Sequence, residues 1–257
     1  MNKTKTIRGD ILDIDAISKA CKDVDIIFHQ AAFISVPLSI KNPATAKKIN
    51  VDGTKNVLDA ALKTGVKRIV FASSAAVYGN ADYAVKETDP LHPQDPYGES
   101  KKRAEELMKE YFEENGLETV CLRYFNVYGP RQKSGVVSIF LNAIDNGKSP
   151  IIFGDGKQIR DFIYVGDVVT ANLLASSASK SKVVGESFNI ATGKSTNLLT
   201  LFNLMKTVTK KDIDPVFNPS RDGDIAYSCA DVSKAENILN FKAKESLDHG
   251  IKKLVHN

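Results

Sequence analysis

Short apolar runs alternate with charged, helix-periodic stretches through the first half of the chain, and this order limits the available folds more than any other feature. Asp25-Ile26-Ile27-Phe28-His29 follows a helix expected over about residues 14–21. Asn50 to Thr64 repeats apolar residues at helical spacing in Val51, Val57, Leu58 and Ala61, and Arg68-Ile69-Val70-Phe71-Ala72 reads as a buried strand. A helix from about Ser100 to Asn115 and a strand Thr119-Val120-Cys121-Leu122-Arg123-Tyr124 continue the order. Strand, helix and strand repeated in this way predict an α/β fold, a Rossmann-like parallel sheet with helices on both faces. The Gly-, Pro- and Asp-rich segment Ser149 to Asp161 interrupts the pattern, which resumes with a helix near Val165 to Ser177 and a strand Ser187 to Ile190. Beyond Leu198 the chain reads as helical, then irregular around Pro215 to Gly223, then helical again from Val232. The expected division is a dinucleotide-binding domain over 1–130 and 162–192 and a smaller substrate-binding domain over 131–161 and 193–257.

With 257 residues, 42% of them apolar, the chain can bury one large core or two cores sharing an interface. Thirty-five basic against 31 acidic residues leave a formal charge of +4, with the signs interspersed and no basic run long enough to follow a nucleic-acid backbone. Nucleic acid is therefore not an expected partner. Cys21, Cys121 and Cys229 are distant and odd in number, which argues against a disulfide scaffold or thiolate metal site, and the four histidines form no ligand pattern. The opening residues lead into no apolar run, and eighteen consecutive apolar residues occur nowhere, so neither export nor a membrane partner is expected. A reducing cytoplasm is the simplest home.

Chemistry concentrates at Tyr97 and Lys101, four residues apart at the start of a charged helical stretch. One helical turn places phenol and ammonium on the same face, where the cation favours phenolate and lets the tyrosine act as acid or base. Ser73 and Ser74 close a strand at the edge where parallel sheets place their ligands, so their hydroxyls suit a substrate oxygen, although capping a turn is the plainer role for such serines. Asn50 has two readings, as a helix cap or as a brace for backbone near a cofactor. Arg160 and Arg221 lie in Gly- and Asp-rich turns, where an arginine serves either a surface ion pair or a bidentate grip on a diphosphate.

Several motifs in one order carry a resemblance: Gly9-Asp10-Ile11, His29-Gln30-Ala31-Ala32, Asn50-Val51-Asp52-Gly53-Thr54, Ser73-Ser74-Ala75-Ala76-Val77-Tyr78-Gly79, Pro96-Tyr97-Gly98-Glu99-Ser100-Lys101 and Arg123-Tyr124-Phe125-Asn126-Val127-Tyr128-Gly129-Pro130. Gly154-Asp155-Gly156, Arg160-Asp161-Phe162 and Arg221-Asp222-Gly223-Asp224 follow. The chain resembles, over essentially its whole length, the extended short-chain dehydrogenase/reductase family of NAD-dependent epimerases and dehydratases, and within it the 4-epimerases of UDP-glucose or UDP-N-acetylglucosamine. The resemblance implies NAD as cofactor and a UDP-sugar as substrate. It makes Tyr97 the catalytic base, with Lys101 lowering its pKa and bonding the nicotinamide ribose, and has Ser74 orient the sugar 4-hydroxyl. Asp10 and Ile11 would flank the adenine, and Ala31, Ala32, Asn50, Ser73 and Tyr124 would line the rest of the cofactor cleft. Asn126, Phe153, Arg160 and Arg221 would hold the nucleotide sugar, with the arginines at its diphosphate. The implied reaction is 4-epimerisation through a transient 4-keto sugar. Relatives that eliminate water carry Thr-Asp-Glu where this chain has Ser73-Ser74-Ala75, and alanine can serve as neither acid nor base, so epimerisation is expected over dehydration. Ser228 matches a position near the sugar acetamido group where glucose-restricted members have a larger tyrosine, which implies room for an N-acetyl group. Family members pair through helices matching Thr54 to Leu62 and Arg103 to Glu113, which implies a homodimer.

Two departures stand against the family pattern. The sequence has no GxxGxxG turn and opens on Thr4-Lys5-Thr6-Ile7-Arg8-Gly9-Asp10, which resembles the third strand of the fold, so roughly 50 preceding residues are expected that the sequence lacks. A fragmentary start, a folded but poorly active product and a chain completed by another polypeptide are the three accounts of this. The connection Arg131-Gln132-Lys133-Ser134-Gly135 is also shorter than in relatives. Two alternatives to the epimerase follow: a nucleotide-sugar reductase or dehydratase, or a noncatalytic remnant of the fold.

Overall fold

A computed structural model gives the fold of residues 4–221 and 223–255. Asp222 of the Arg221-to-Asp224 motif lies outside the described residues, as do Met1, Asn2 and Lys3. In chain order the elements are α1 (Ile14–Ala20), β1 (Ile26–His29), α2 (Val36–Lys41), α3 (Pro43–Lys47), α4 (Gly53–Thr64), β2 (Arg68–Ser74), α5 (Pro96–Asn115) and β3 (Glu118–Tyr124). They continue with β4 (Asn126–Tyr128), α6 (Val136–Asp145), β5 (Ile151–Phe153), β6 (Ile159–Arg160), β7 (Phe162–Tyr164), α7 (Val165–Ser177), α8 (Lys180–Val183) and β8 (Glu186–Ile190). The C-terminal portion holds β9 (Thr196–Asn197), α9 (Leu198–Thr209), β10 (Val216–Asn218), β11 (Tyr227–Ser228), α10 (Ser233–Leu239) and α11 (Leu247–Val255). The fold is α/β, a Rossmann-like parallel sheet with a smaller C-terminal substrate-binding part, as the alternation predicts. No helix among the described residues is long and apolar enough to cross a membrane.

The chain divides into two compact units, the first made of Met1–Val77, Pro93–Leu122 and Ala175–Ser187. Its sheet runs in the order β1-β2-β3-β8, with Ile26 to His29 in parallel register with Arg68 to Phe71. Every residue of β2 from Arg68 to Ser73 is buried, as expected of a strand covered on both faces. Val57, Leu58 and Ala61 from α4 and Ala104, Leu107 and Met108 from α5 pack with Ile69 and Phe71, so the helical periodicity read in the sequence is the core-facing stripe. Arg68 is a buried cation of this unit. Its guanidinium donates to Glu118 at 2.7 Å and to the carbonyls of Ala175, Ser176 and Ala178 at 2.8–3.0 Å, satisfying acceptors left open at the end of α7.

The second unit comprises Tyr78–His92, Arg123–Leu174 and Phe188–Asn257. Its main core gathers Val137, Phe140, Leu141 and Ile144 of α6 with Leu201, Phe202 and Met205 of α9 and Ile251 of α11. Small ladders supply the rest. β4 pairs with β7, β10 with β5, and β6 lies between β11 and β9. Val216 to Asn218 thus form a strand inside the stretch read as irregular, because Ile151 to Phe153 offer it a partner that local sequence does not announce.

Candidate active site

The first unit brings Ser74, Tyr97 and Lys101 into one neighbourhood, and local chain chemistry explains how. Asp95 caps α5, its carboxylate accepting from the Gly98 N–H at 2.9 Å, and Pro96 takes the first helical position, where a missing N–H costs nothing. The helix therefore begins at Pro96 rather than near Ser100, and Tyr97 falls in its first turn, where the helix dipole favours an anion. Gly98 is required by proximity: a Cβ there would lie 2.6 Å from the carbonyl oxygen of Ala76. That closeness sets the start of α5 against the chain leaving β2. The Ser74 hydroxyl hydrogen-bonds Tyr97, and the bond partly offsets burial, the main influence, which pushes the phenol above its ordinary pKa.

Lys101, one turn further along, is buried and donates to the Ala72 carbonyl at 2.9 Å. Burial lowers its pKa to about 8, against the opposing pull of Glu105. Its ammonium sits 4.8 Å from the centre of the Phe71 ring. His29, at the end of β1, is also buried and is held down to about pKa 3 by burial and by the charge of Lys101. Thr54 donates its hydroxyl proton to the Asn50 carbonyl, so its oxygen accepts from His29 Nε2 at 2.9 Å, and the neutral ring carries its proton there.

Asn50 is a brace, not a helix cap. It lies in a π-helical turn ahead of α4 and accepts from the Phe33 N–H at 2.7 Å while donating to the Phe33 carbonyl at 3.0 Å and Ser100 Oγ at 2.8 Å. The loop carrying Ala31 and Ala32 is thereby fixed. Asp10 is exposed; its carboxylate accepts from the Leu12 N–H at 2.9 Å and its carbonyl from the Asp13 N–H at 3.0 Å. Ile11 packs so closely on Gly53 that a Cβ there would lie 2.6 Å from the Ile11 terminal methyl. Ser73 has a different partner from Ser74: it is buried and donates to Glu105 at 2.5 Å. The donor set here fits a nicotinamide ribose. Lys101 carries three N–H donors, of which one goes to Ala72, and Tyr97 stands one turn away.

The second unit holds the remaining candidates. The Arg221 guanidinium stacks 3.6 Å from the centre of the Phe153 ring. Arg160 donates to the carbonyls of Ile159 and Ile225 and pairs with Asp224 at 2.9 Å, and in the ladder it stands opposite Ser228. Asn126 donates to the Asp161 carbonyl at 3.2 Å, and the Tyr124 hydroxyl exchanges hydrogen bonds with Asn172. Asp161, unmarked in the sequence beyond its motif, is fully buried and accepts from Thr192 N, Thr192 Oγ1 and Gly193 N at 2.6–2.9 Å. Its burial between Arg160 of β6 and Phe162 of β7 is what a single sequence does not reveal.

Comparison with known proteins places this geometry. The family model described as NAD dependent epimerase/dehydratase family matches residues 1–191. The chain belongs to that family. NAD is the cofactor of the family, and its chemistry acts on nucleotide sugars. Among solved structures, the UDP-glucose 4-epimerase of Thermotoga maritima with UDP-glucose is similar at a TM-score of 0.93 and 38% identity, over 97% of this chain and 82% of that one. The UDP-N-acetylglucosamine 4-epimerase of Methanobrevibacter ruminantium, in complex with UDP-N-acetylmuramic acid, gives a TM-score of 0.91 and 38% identity over 97% and 81%. The UDP-glucose 4-epimerase of Mycolicibacterium smegmatis is 34% identical over 99% of this chain and 82% of that protein. As an epimerase/dehydratase family member, this chain carries its proton-transfer candidates wholly within the first unit.

Proposed function

We propose that the chain is a UDP-hexose 4-epimerase working through a transient 4-keto sugar. The observation that carries this reading is the start of α5 set against the end of β2, which puts Tyr97 one turn from a buried Lys101 that donates to Ala72, with Ala75 and not an acid following Ser73 and Ser74. Tyr97 takes the proton of the sugar 4-hydroxyl, Ser74 orients that hydroxyl, and Lys101 supplies the positive charge that a buried phenol needs to ionise near neutral pH. Bound NAD supplies a reversible acceptor for the hydride from C4. Lys101 and Tyr97 would hold its nicotinamide ribose, Asp10 and Ile11 its adenine, and Ala31, Ala32, Asn50 and Tyr124 the surfaces between.

Arg221, stacked on Phe153, and Arg160 suit a diphosphate, because guanidinium groups grip phosphate oxygens in pairs. Asn126 and Ser228 complete the proposed sugar side, and the short Ser228 leaves room for an N-acetyl group. A homodimer is part of the same reading.

The test is calorimetric titration with NAD, followed by product analysis on UDP-glucose and UDP-N-acetylglucosamine. Binding and formation of the 4-epimer are expected. Stoichiometric NADH without an epimer would move the assignment to a reductase, and turnover of UDP-glucose alone would remove the N-acetyl pocket.

A further inference from the structure

Tyr97, Lys101 and Glu105 stand at i, i+4 and i+8 on α5, which puts three ionisable groups on one stripe of the helix. Glu105 is 7% exposed, and buried carboxylates require both partners and a reason. One oxygen accepts from Ser73 Oγ at 2.5 Å, and the other lies 3.5 Å from Ser187 Oγ on β8. Ser73 sits between Ala72, whose carbonyl receives Lys101, and Ser74, which bonds Tyr97. Three consecutive residues at the end of β2 are thus tied in turn to three groups on successive turns of α5. A shift of the helix along the strand would break all three ties together.

We propose that Glu105 is a positioning residue for the proton-transfer pair: its carboxylate keeps the buried Lys101 in the charged form and, through Ser73, holds the strand end that presents Ser74 to Tyr97. The inference rests on the epimerase reading and deepens it. The charged and titratable groups facing Lys101 are Glu105 on its own helix, His29 on β1 and Cys121 on β3. Of these only Glu105 is a carboxyl group. Burial alone drives Lys101 toward the neutral amine, and Glu105 opposes it.

The test is the titration of Lys101 in protein carrying ε-13C lysine, followed by NMR, with the Lys101 signal assigned by its loss in Lys101→Met. Glu105→Gln retains an acceptor for Ser73 and removes the charge. The Lys101 midpoint is expected to fall by ~1 pH unit, the size of one nearby opposite charge. The alkaline limb of kcat is expected to move down with it, and KM for the UDP-sugar to stay within about twofold. Ser73→Ala should leave the midpoint in place and lower kcat about tenfold. If the Gln variant does not fold, Glu105→Asp keeps the charge and shortens the reach, so the midpoint stays and kcat falls. An unmoved midpoint in Glu105→Gln, or full kcat in Ser73→Ala or Glu105→Asp, would overturn the proposal. The titration needs no turnover, so an enzyme that forms no epimer contradicts the function while the Lys101 midpoint still decides the role of Glu105.

Discussion

Lys101 reaches from α5 to the carbonyl oxygen of Ala72 at 2.9 Å, which fixes a buried ammonium one helical turn from Tyr97. Activity and stability then pull in opposite directions at this residue. Its pKa is lowered to about 8 from 10.5, so between those values the unfolded chain holds a proton that the folded chain has released, and stability rises with pH across that window. Below about pH 8 the buried charge weighs against folding. Lys101→Met, of similar length and apolar, should therefore lower kcat ~10²–10⁴-fold while raising stability at neutral pH by about 1–4 kcal/mol. Denaturant melts beside steady-state kinetics check both halves.

His29 gives the opposite end of the pH scale. With its folded pKa held near 3 against 6.5 when unfolded, the unfolded chain binds the extra proton between those values. The stability present above about pH 6.5 is lost as pH falls toward 3, with a slope approaching ~1.4 kcal/mol per pH unit from this group. His29→Gln should flatten that part of the stability curve, as read from urea midpoints across the range.

Gly98 tests how tightly the start of α5 must approach β2. A methyl placed 2.6 Å from the Ala76 carbonyl cannot be relieved by rotating a side chain, because the obstacle is backbone. Gly98→Ala is expected to cost about 1–3 kcal/mol of stability and to lower kcat by displacing Tyr97 from Ser74. By contrast Gly147→Ala, at a site where no atom lies within 4 Å but φ is +67°, should cost ~1 kcal/mol and leave kcat unchanged.

Arg221 stacks on Phe153 and is exposed, so its removal disturbs little packing. If it grips the diphosphate, Arg221→Ala raises KM for UDP-sugars about 10–100-fold, the worth of one charged hydrogen-bonding group, with kcat nearly unchanged. Arg160→Ala should raise KM and also lower stability, because Arg160 satisfies the carbonyls of Ile159 and Ile225.

The long elements were legible because one local rule decides each of them. Arg68 to Ala72, read as a buried strand, is buried throughout, and Val165 to Ser177 appears as a helix at the bounds expected. The first turn of α5 was not, since Pro96 and Gly98 look like a loop until Asp95 is seen capping them. The π-helical turn at Lys48–Asp52 also escapes periodicity, because its bonding is set by Asn50 reaching across to Phe33. Short ladders such as β5 with β10 depend on a partner more than sixty positions away, and no window of sequence contains both. At the site, the YxxxK spacing marked Tyr97 and Lys101, but it could not tell Ser73 from Ser74. Both serines meet α5, and only the fold shows that Ser73 goes to Glu105 and Ser74 to Tyr97.

The central claim is that Tyr97 and Ser74 pass a proton while C4 of a UDP-hexose is oxidised and reduced within one site. UDP-glucose carrying deuterium at C4, incubated with the protein and NAD and followed by NMR, tests it directly. The account predicts UDP-galactose that keeps the deuterium at C4, no lasting NADH, and a rate lowered ~10²–10⁴-fold in Tyr97→Phe. Deuterium washed out to solvent, or an unchanged rate in Tyr97→Phe, would contradict it.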